Sequence, residues 1–182
     1  GPHPRPRIFP CGRWPAVTGG DSLDIRPIGV IRTPFESVAG IPVQPLSGKG
    51  IRGKIILREE YAEGLKDLDG FSHATLIYHL HRAAAPALRV VPFMDDEEHG
   101  IFATRSPRRP NRIGISTVRI LKVDKNEIEI EDLDMIDGTP LLDIKPFFPE
   151  FDNRHGGRAG WLEKRKGENK EGCRSDDRFT GE

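Results

Sequence analysis

Alternation with a period of two is the feature that most restricts how this chain can fold. In IRGKIILR (51–58), Ile51, Gly53, Ile55 and Leu57 share one face of an extended segment, opposed by Arg52, Lys54 and Arg58. In HATLIYHLH (73–81), Ala74, Leu76, Tyr78 and Leu80 face one way, and His73, Thr75, Ile77, His79 and His81 the other. ISTVRILKV (115–123) and EIEIEDL (127–133) flank Asp124-Lys125-Asn126, a hairpin turn by its composition. IGVIRTPF (28–35) and PLLDIKPF (140–147) supply further strands. One short helix is expected at EEYAEGLKDLDG (59–70), where Tyr61, Leu65 and Leu68 recur at i, i+4 and i+7 and Gly70 can end the run. Short strands, frequent turn residues and a single clear helix predict an all-β barrel or sandwich rather than an α/β sheet.

The ends of the chain read differently. Residues 1–22 are dense in Pro, Gly and Arg and show no periodicity, so no strand ladder is expected there. Residues 153–182 hold few apolar side chains and are expected to be a solvated tail. One folded domain is therefore expected over 23–152, within a chain of 182 residues and 36% hydrophobic content that can bury a sizeable core. Cys11 and Cys173 both fall in the expected tails, so a reducing compartment fits and no disulfide framework is implied. No apolar run approaches the roughly 18 residues of a membrane span, and the proline-rich start does not read as a signal peptide. A soluble, cytoplasmic protein is the expectation.

Charge carries the first functional hint. With 28 Lys+Arg against 28 Asp+Glu the chain is formally neutral, which excludes a wholesale polyanion binder and leaves only local patches. Such a patch exists in FATRSPRRPNRIG (102–114), where Arg105, Arg108, Arg109 and Arg112 are punctuated by Pro107, Pro110 and Asn111. From His99 to Val123 there is no Asp or Glu. Guanidiniums on a proline-stiffened loop lose little entropy on binding and present planar forks suited to phosphate, although Arg/Pro loops also occur as plain surface. Within the acidic run that follows (Asp124, Glu127, Glu129, Glu131, Asp132, Asp134, Asp137), EIEIE reads as solvated charge paired across strands. Asp134, Asp137 and Asp143, by contrast, lie near apolar residues, where a carboxylate is costly unless paired or useful.

Two other clusters leave alternatives open. His79-x-His81 has a spacing that metal sites use, but no carboxylate follows closely and Ile77 interrupts the histidine row. Structural histidines bonded to neighbours are the commoner case. In LDMIDGTPLLDIKPF, Asp137-Gly138-Thr139-Pro140 is a turn signal, and Asp143 has Lys145 at hand for an ion pair. No glycine-rich nucleotide fingerprint and no nucleophile-elbow motif is present. The residues by themselves describe a β-rich domain with a rigid basic loop for an anionic partner.

The ordered set IGVIRTPF, GIPVQP, GLKDLDGFSHATLIYHLH, GIFATRSPRRPNRIGIS and LDMIDGTPLLDIKPF resembles the TsaA/TrmO family, in an archaeal-like form, over about residues 25–149. The resemblance implies a single β-barrel with one or two short helices. It also implies an S-adenosylmethionine-dependent tRNA methyltransferase acting on the N6 nitrogen of N6-threonylcarbamoyladenosine, beside the anticodon, as a homodimer. The implied cofactor contacts are Pro45, Leu46, Ser47, Arg82, Ala83, Arg105, Ile115, Glu131, Asp132, Leu133 and Asp134. Asp134 or Asp137 would be the base, Arg105 would hold cofactor or substrate carboxylate, and Arg108, Arg109 and Arg112 would grip the anticodon loop. No resident metal is implied. The rival readings are a noncatalytic RNA-binding barrel and a metal-dependent barrel enzyme using His79 and His81.

Overall fold

The alternating segments become strands that close on themselves. The computed structural model describes residues 23–37, 49–93, 95–154 and 156–165. The barrel strands are β1 (Gly29–Arg32), β2 (Arg52–Leu57), β3 (His73–His79), β6 (Ile113–Asp124), β7 (Glu127–Glu131) and β8 (Thr139–Pro146). They run in the order β1-β2-β7-β6-β3-β8, with β8 returning to β1, and every pairing is antiparallel. Between β3 and β6 a short hairpin forms from β4 (Arg89–Val90) and β5 (His99–Gly100).

Closure depends on β6. Its first half pairs with β3 and its second with β7, and Arg119 lies opposite both His73 and Glu131. Register shifts at Ile120/Lys122 and at Ile77/Tyr78 bend the sheet where it must turn the corner. The predicted hairpin is present: Asp124 pairs with Glu127, and Lys125 adopts φ 55° in the turn.

Inward residues are those the alternation selected. Ile31, Ile55, Leu57, Ala74, Leu76, Tyr78, Val118, Ile128, Ile130 and Leu141 fill the barrel, and Leu133 and Met135 plug it from the β7–β8 connection. Gly53 belongs to the same face because β1 crosses there: a Cβ would sit 2.2 Å from the Arg32 carbonyl oxygen and 2.6 Å from Leu133 Cδ1. Outside, the acidic hairpin is paired as expected, with Lys54 on Glu127 (3.1 Å) and Arg52 on Glu131 (3.2 Å). Asp143 takes Lys145 at 2.8 Å.

Two expectations are corrected. The helix over 59–70 is two 3₁₀ segments, Glu59–Leu65 and Leu68–Gly70, broken at Asp67 with φ 67°. Leu65 and Leu68 cap the barrel end, and Tyr61 stays exposed because the tighter winding rotates it off their face. A single helical turn, α1 (Pro149–Asp152), follows β8. The other correction concerns the expected solvated tail after residue 152, whose described part docks: the Trp161 indole donates to the Ala103 carbonyl (2.8 Å) and stacks on His99. Residues 1–22 and 166–182 lie outside the described residues.

Candidate active site

A polar chain runs through the wall of the barrel where an apolar one would be expected. Tyr78 on β3 lies opposite Gly114 on β6, and its ring occupies the space a side chain there would need: a Cβ on Gly114 would meet the ring at 2.3 Å. The ring therefore lies across β6, and its hydroxyl comes within 2.9 Å of Ser116 Oγ. Ser116 in turn donates to Asp134 Oδ1 at 2.7 Å. A hydroxyl has one proton, so with Asp134 ionised Tyr78 donates to Ser116 and Ser116 to Asp134. Ser116 is 3% exposed and Tyr78 5%, so this relay is shielded from water except at its Asp134 end.

The electrostatics follow from that burial. Desolvation pushes the Asp134 carboxyl up to about 6, against the Ser116 bond, its own backbone N–H and the charge of Arg105, all of which favour the anion. The Tyr78 hydroxyl is pushed above its ordinary range, first by burial and then by the Asp134 charge. Arg105 acts on both groups through its charge and favours their anions. Among the described residues it makes no hydrogen bond or ion pair of its own, and its side chain is exposed.

The acidic stretch leading to Asp134 is built by backbone geometry. Asp132 adopts φ 70°, its N–H donates to the Ile51 carbonyl (3.0 Å), and its Oδ1 accepts from the Gly50 N–H (2.9 Å). Glu131 bridges Arg52 and Arg119 (3.6 Å) on the flanking strands. Leu133 is wholly buried and can offer only its backbone to a ligand. Arg82 reaches the Glu36 carbonyl (3.1 Å), the Ala83 N–H bonds to Leu80, and Ile115 is 54% exposed on the outer face of β6. Pro45, Leu46 and Ser47 lie outside the described residues.

Asp137 has another occupation. Its Oδ1 accepts from the Thr33 N–H and its Oδ2 from Arg32 Nη1, each at 3.0 Å, so it ties the β7–β8 turn to the end of β1. Its turn role is the one the Asp-Gly-Thr-Pro pattern indicated.

The arginine loop is more constrained than its composition suggested. Phe102-Ala103-Thr104 does not continue a strand: Ile101–Ala103 is a 3₁₀ turn, with Ile101 buried beside Val90 and Phe102 turned outward. Arg109, expected to reach into solvent, bends back and donates from Nη1 to the carbonyls of Ile101 (3.2 Å) and Thr104 (2.8 Å). Arg108 donates from Nε to Ala85 (2.9 Å). Both guanidiniums spend part of their donor set on the loop and keep the rest outward. Arg112 adopts φ 48°, and its guanidinium has no partner among the described residues.

The histidine row does not assemble. His73 bonds Ser72 and lies edge-on to Phe147, β3 ends at His79, and His81 Nδ1 is buried without a partner among the described residues. Burial and Arg82 hold the His81 ring below its ordinary pKa. Among the described residues no three His, Cys, Asp or Glu side chains come together to hold a metal. The alternation did not reveal that Tyr78 and Ser116 are polar partners. The available signal was Ser116, a hydroxyl in phase with the buried Val118.

Known proteins resemble this chain in sequence and in fold. The family model of the tRNA-methyltransferase O N-terminal domain matches residues 30–153. A Pyrococcus abyssi protein named "Probable S-adenosyl-L-methionine-binding protein" is 53% identical over 139 residues, covering 76% of each chain. The Homo sapiens tRNA (adenine(37)-N6)-methyltransferase is 34% identical over 158 residues, which cover 82% of this chain but 36% of the human protein. The crystal structure of TrmO from Pseudomonas aeruginosa superposes with a TM-score of 0.66 at 34% identity, covering 77% of this chain and 62% of that one. A match over most of the barrel, in sequence and in fold alike, means that the chain belongs to the TsaA/TrmO family.

Proposed function

We propose that this protein is an S-adenosylmethionine-dependent methyltransferase acting on the N6 nitrogen of the adenosine beside the tRNA anticodon, with N6-threonylcarbamoyladenosine as the substrate base. The observation that carries this reading is the buried Asp134 carboxylate, fixed by Ser116 and faced by Arg105. The residues around it fit the cofactor: Asp132 and Asp134 suit a cationic sulfonium and ribose hydroxyls, and exposed Ile115 offers apolar surface to a purine. When bound, that cofactor supplies an electrophilic methyl group.

The protein's own contribution is positioning and proton transfer. The N6 lone pair is delocalised into the purine and the carbamoyl carbonyl, so orientation and removal of the N6 proton decide the rate. Asp134, ionised at neutral pH, accepts that proton, and the Tyr78–Ser116 relay fixes its carboxylate. Asp137, engaged by Arg32 and Thr33, holds the turn instead. Arg105 meets the carboxylate of the threonyl group or of the cofactor. Arg108, Arg109 and Arg112 grip phosphates, and Phe102, 76% exposed, offers a ring of the kind on which single-stranded bases stack. Ile77 and Ile113, beside Ile115 on the outer face of β3–β6, are the surface we assign to a homodimer contact. Among the described residues no helix is long and apolar enough to cross a membrane, and the tRNA substrate implies work in the cytoplasm.

The test is direct. Incubation with S-adenosylmethionine and threonylcarbamoylated tRNA should give one additional methyl on that nucleoside by mass spectrometry, and none with Asp134→Asn. RNA binding without cofactor affinity would replace this reading with the noncatalytic one.

A further inference from the structure

The described part of the C-terminal segment meets the arginine loop through Trp161, and that contact is built. Trp161 lies beyond residues 30–153 that the family model matches. Its turn is closed locally, with the Ala159 N–H donating to Glu163 Oε1 (2.6 Å) and the Leu162 N–H to the Ala159 carbonyl. From there the indole lies flat on the His99 ring, at 4.5 Å between centroids and 16° between planes. His99 is itself fixed by Asp95, Nε2 to Oδ2 at 3.0 Å, and Asp95 Oδ1 accepts from the backbone N–H groups of Asp96 and Glu97. The indole N–H meets the Ala103 carbonyl, two residues before Arg105.

The carbonyls of Ile101 and Thr104 are satisfied from within the loop. Ile101 accepts from the Thr104 hydroxyl and from Arg109, and Thr104 accepts from Arg109. Ala103 accepts from outside. An indole pinned by a stack and a hydrogen bond thus fixes the end of the turn that leads into the arginine loop.

We propose that Trp161 is a positioning residue that latches the 101–109 loop in its RNA-binding form, acting through Ala103 and His99. The proposal rests on the methyl-transfer reading of the same site. The indole N–H and its stacking face are both needed, so the conservative aromatic replacement should restore only part of the effect.

The test compares full-length Trp161→Ala and Trp161→Phe with the parent in two assays. The first is trypsin cleavage at Arg105–Ser106 and Arg108–Arg109, which reads loop order without any substrate. The second is steady-state methyl transfer. Trp161→Ala should speed cleavage and raise the KM for tRNA by about tenfold each, equivalent to about 1.4 kcal/mol, with kcat at saturating tRNA little changed. Trp161→Phe should fall between. Unchanged cleavage, unchanged KM, or a fall in kcat alone would overturn the latch. If the parent transfers no methyl to tRNA, the methyl-transfer reading fails, and the cleavage arm still decides whether Trp161 orders the loop.

Discussion

Asp134 shows how one side chain trades stability for reactivity. Its pKa in the folded protein, about 6, lies above the ordinary 3.8. Between those values the folded protein holds a proton that the unfolded chain has released. Stability therefore falls as pH rises through that window and levels off above it, leaving a buried anion at neutral pH. Asp134→Asn keeps an oxygen for Ser116 and removes the charge. It should stabilise the protein by about 1–2 kcal/mol at pH 8 and by nothing at pH 3.5, as read by thermal melts at both pH values. The same substitution should abolish methyl transfer. In the parent, kcat/KM should decline below an apparent pKa near 6, because the protonated carboxyl cannot accept the N6 proton. A flat acid limb would assign the base elsewhere.

At the scale of elements, the strands were legible because period-two alternation reports directly which face meets the core, and Ile128, Ile130 and Leu76 lie where it put them. What stayed illegible has local causes. Apolar spacing at 59–70 cannot distinguish 3₁₀ from α winding, and the break at Asp67 depends on a positive φ that no pattern encodes. Arginine density in 105–112 indicates charge, not direction, and the inward turn of Arg109 depends on carbonyls left open by the Ile101–Ala103 turn. The β3–β6 pairing makes a sharper claim. Gly114→Ala would place a methyl 2.3 Å from the buried Tyr78 ring, which must then leave Ser116. The cost should be about 1–3 kcal/mol, seen as a lowered Tm, together with a fall in kcat. A variant that melts and turns over like the parent would show that Tyr78 takes no part in holding Asp134.

Across the whole molecule, charge is segregated rather than absent. The chain is neutral, yet its arginine loop carries no acidic residue while the β6–β7 hairpin is acidic and paired with cations of β2. RNA contact should therefore be confined to one region and remain sensitive to salt there. Single-stranded RNA gripped through about three arginines should bind with a logarithmic salt slope near 2. The inward bonds of Arg108 and Arg109 sharpen what their loss should do. Replacing both with alanine removes two phosphate contacts and also frees the carbonyls that shape the turn. The KM for tRNA should rise while the salt slope falls by about one. Arg105, which has no structural bond among the described residues, separates from them. Arg105→Ala should preserve the melting temperature and the salt slope within error, and should reduce cofactor affinity or turnover at saturating tRNA. If Arg105→Ala turns over normally, or if the outer pair alters cofactor affinity alone, the loop is not divided between reaction site and RNA grip.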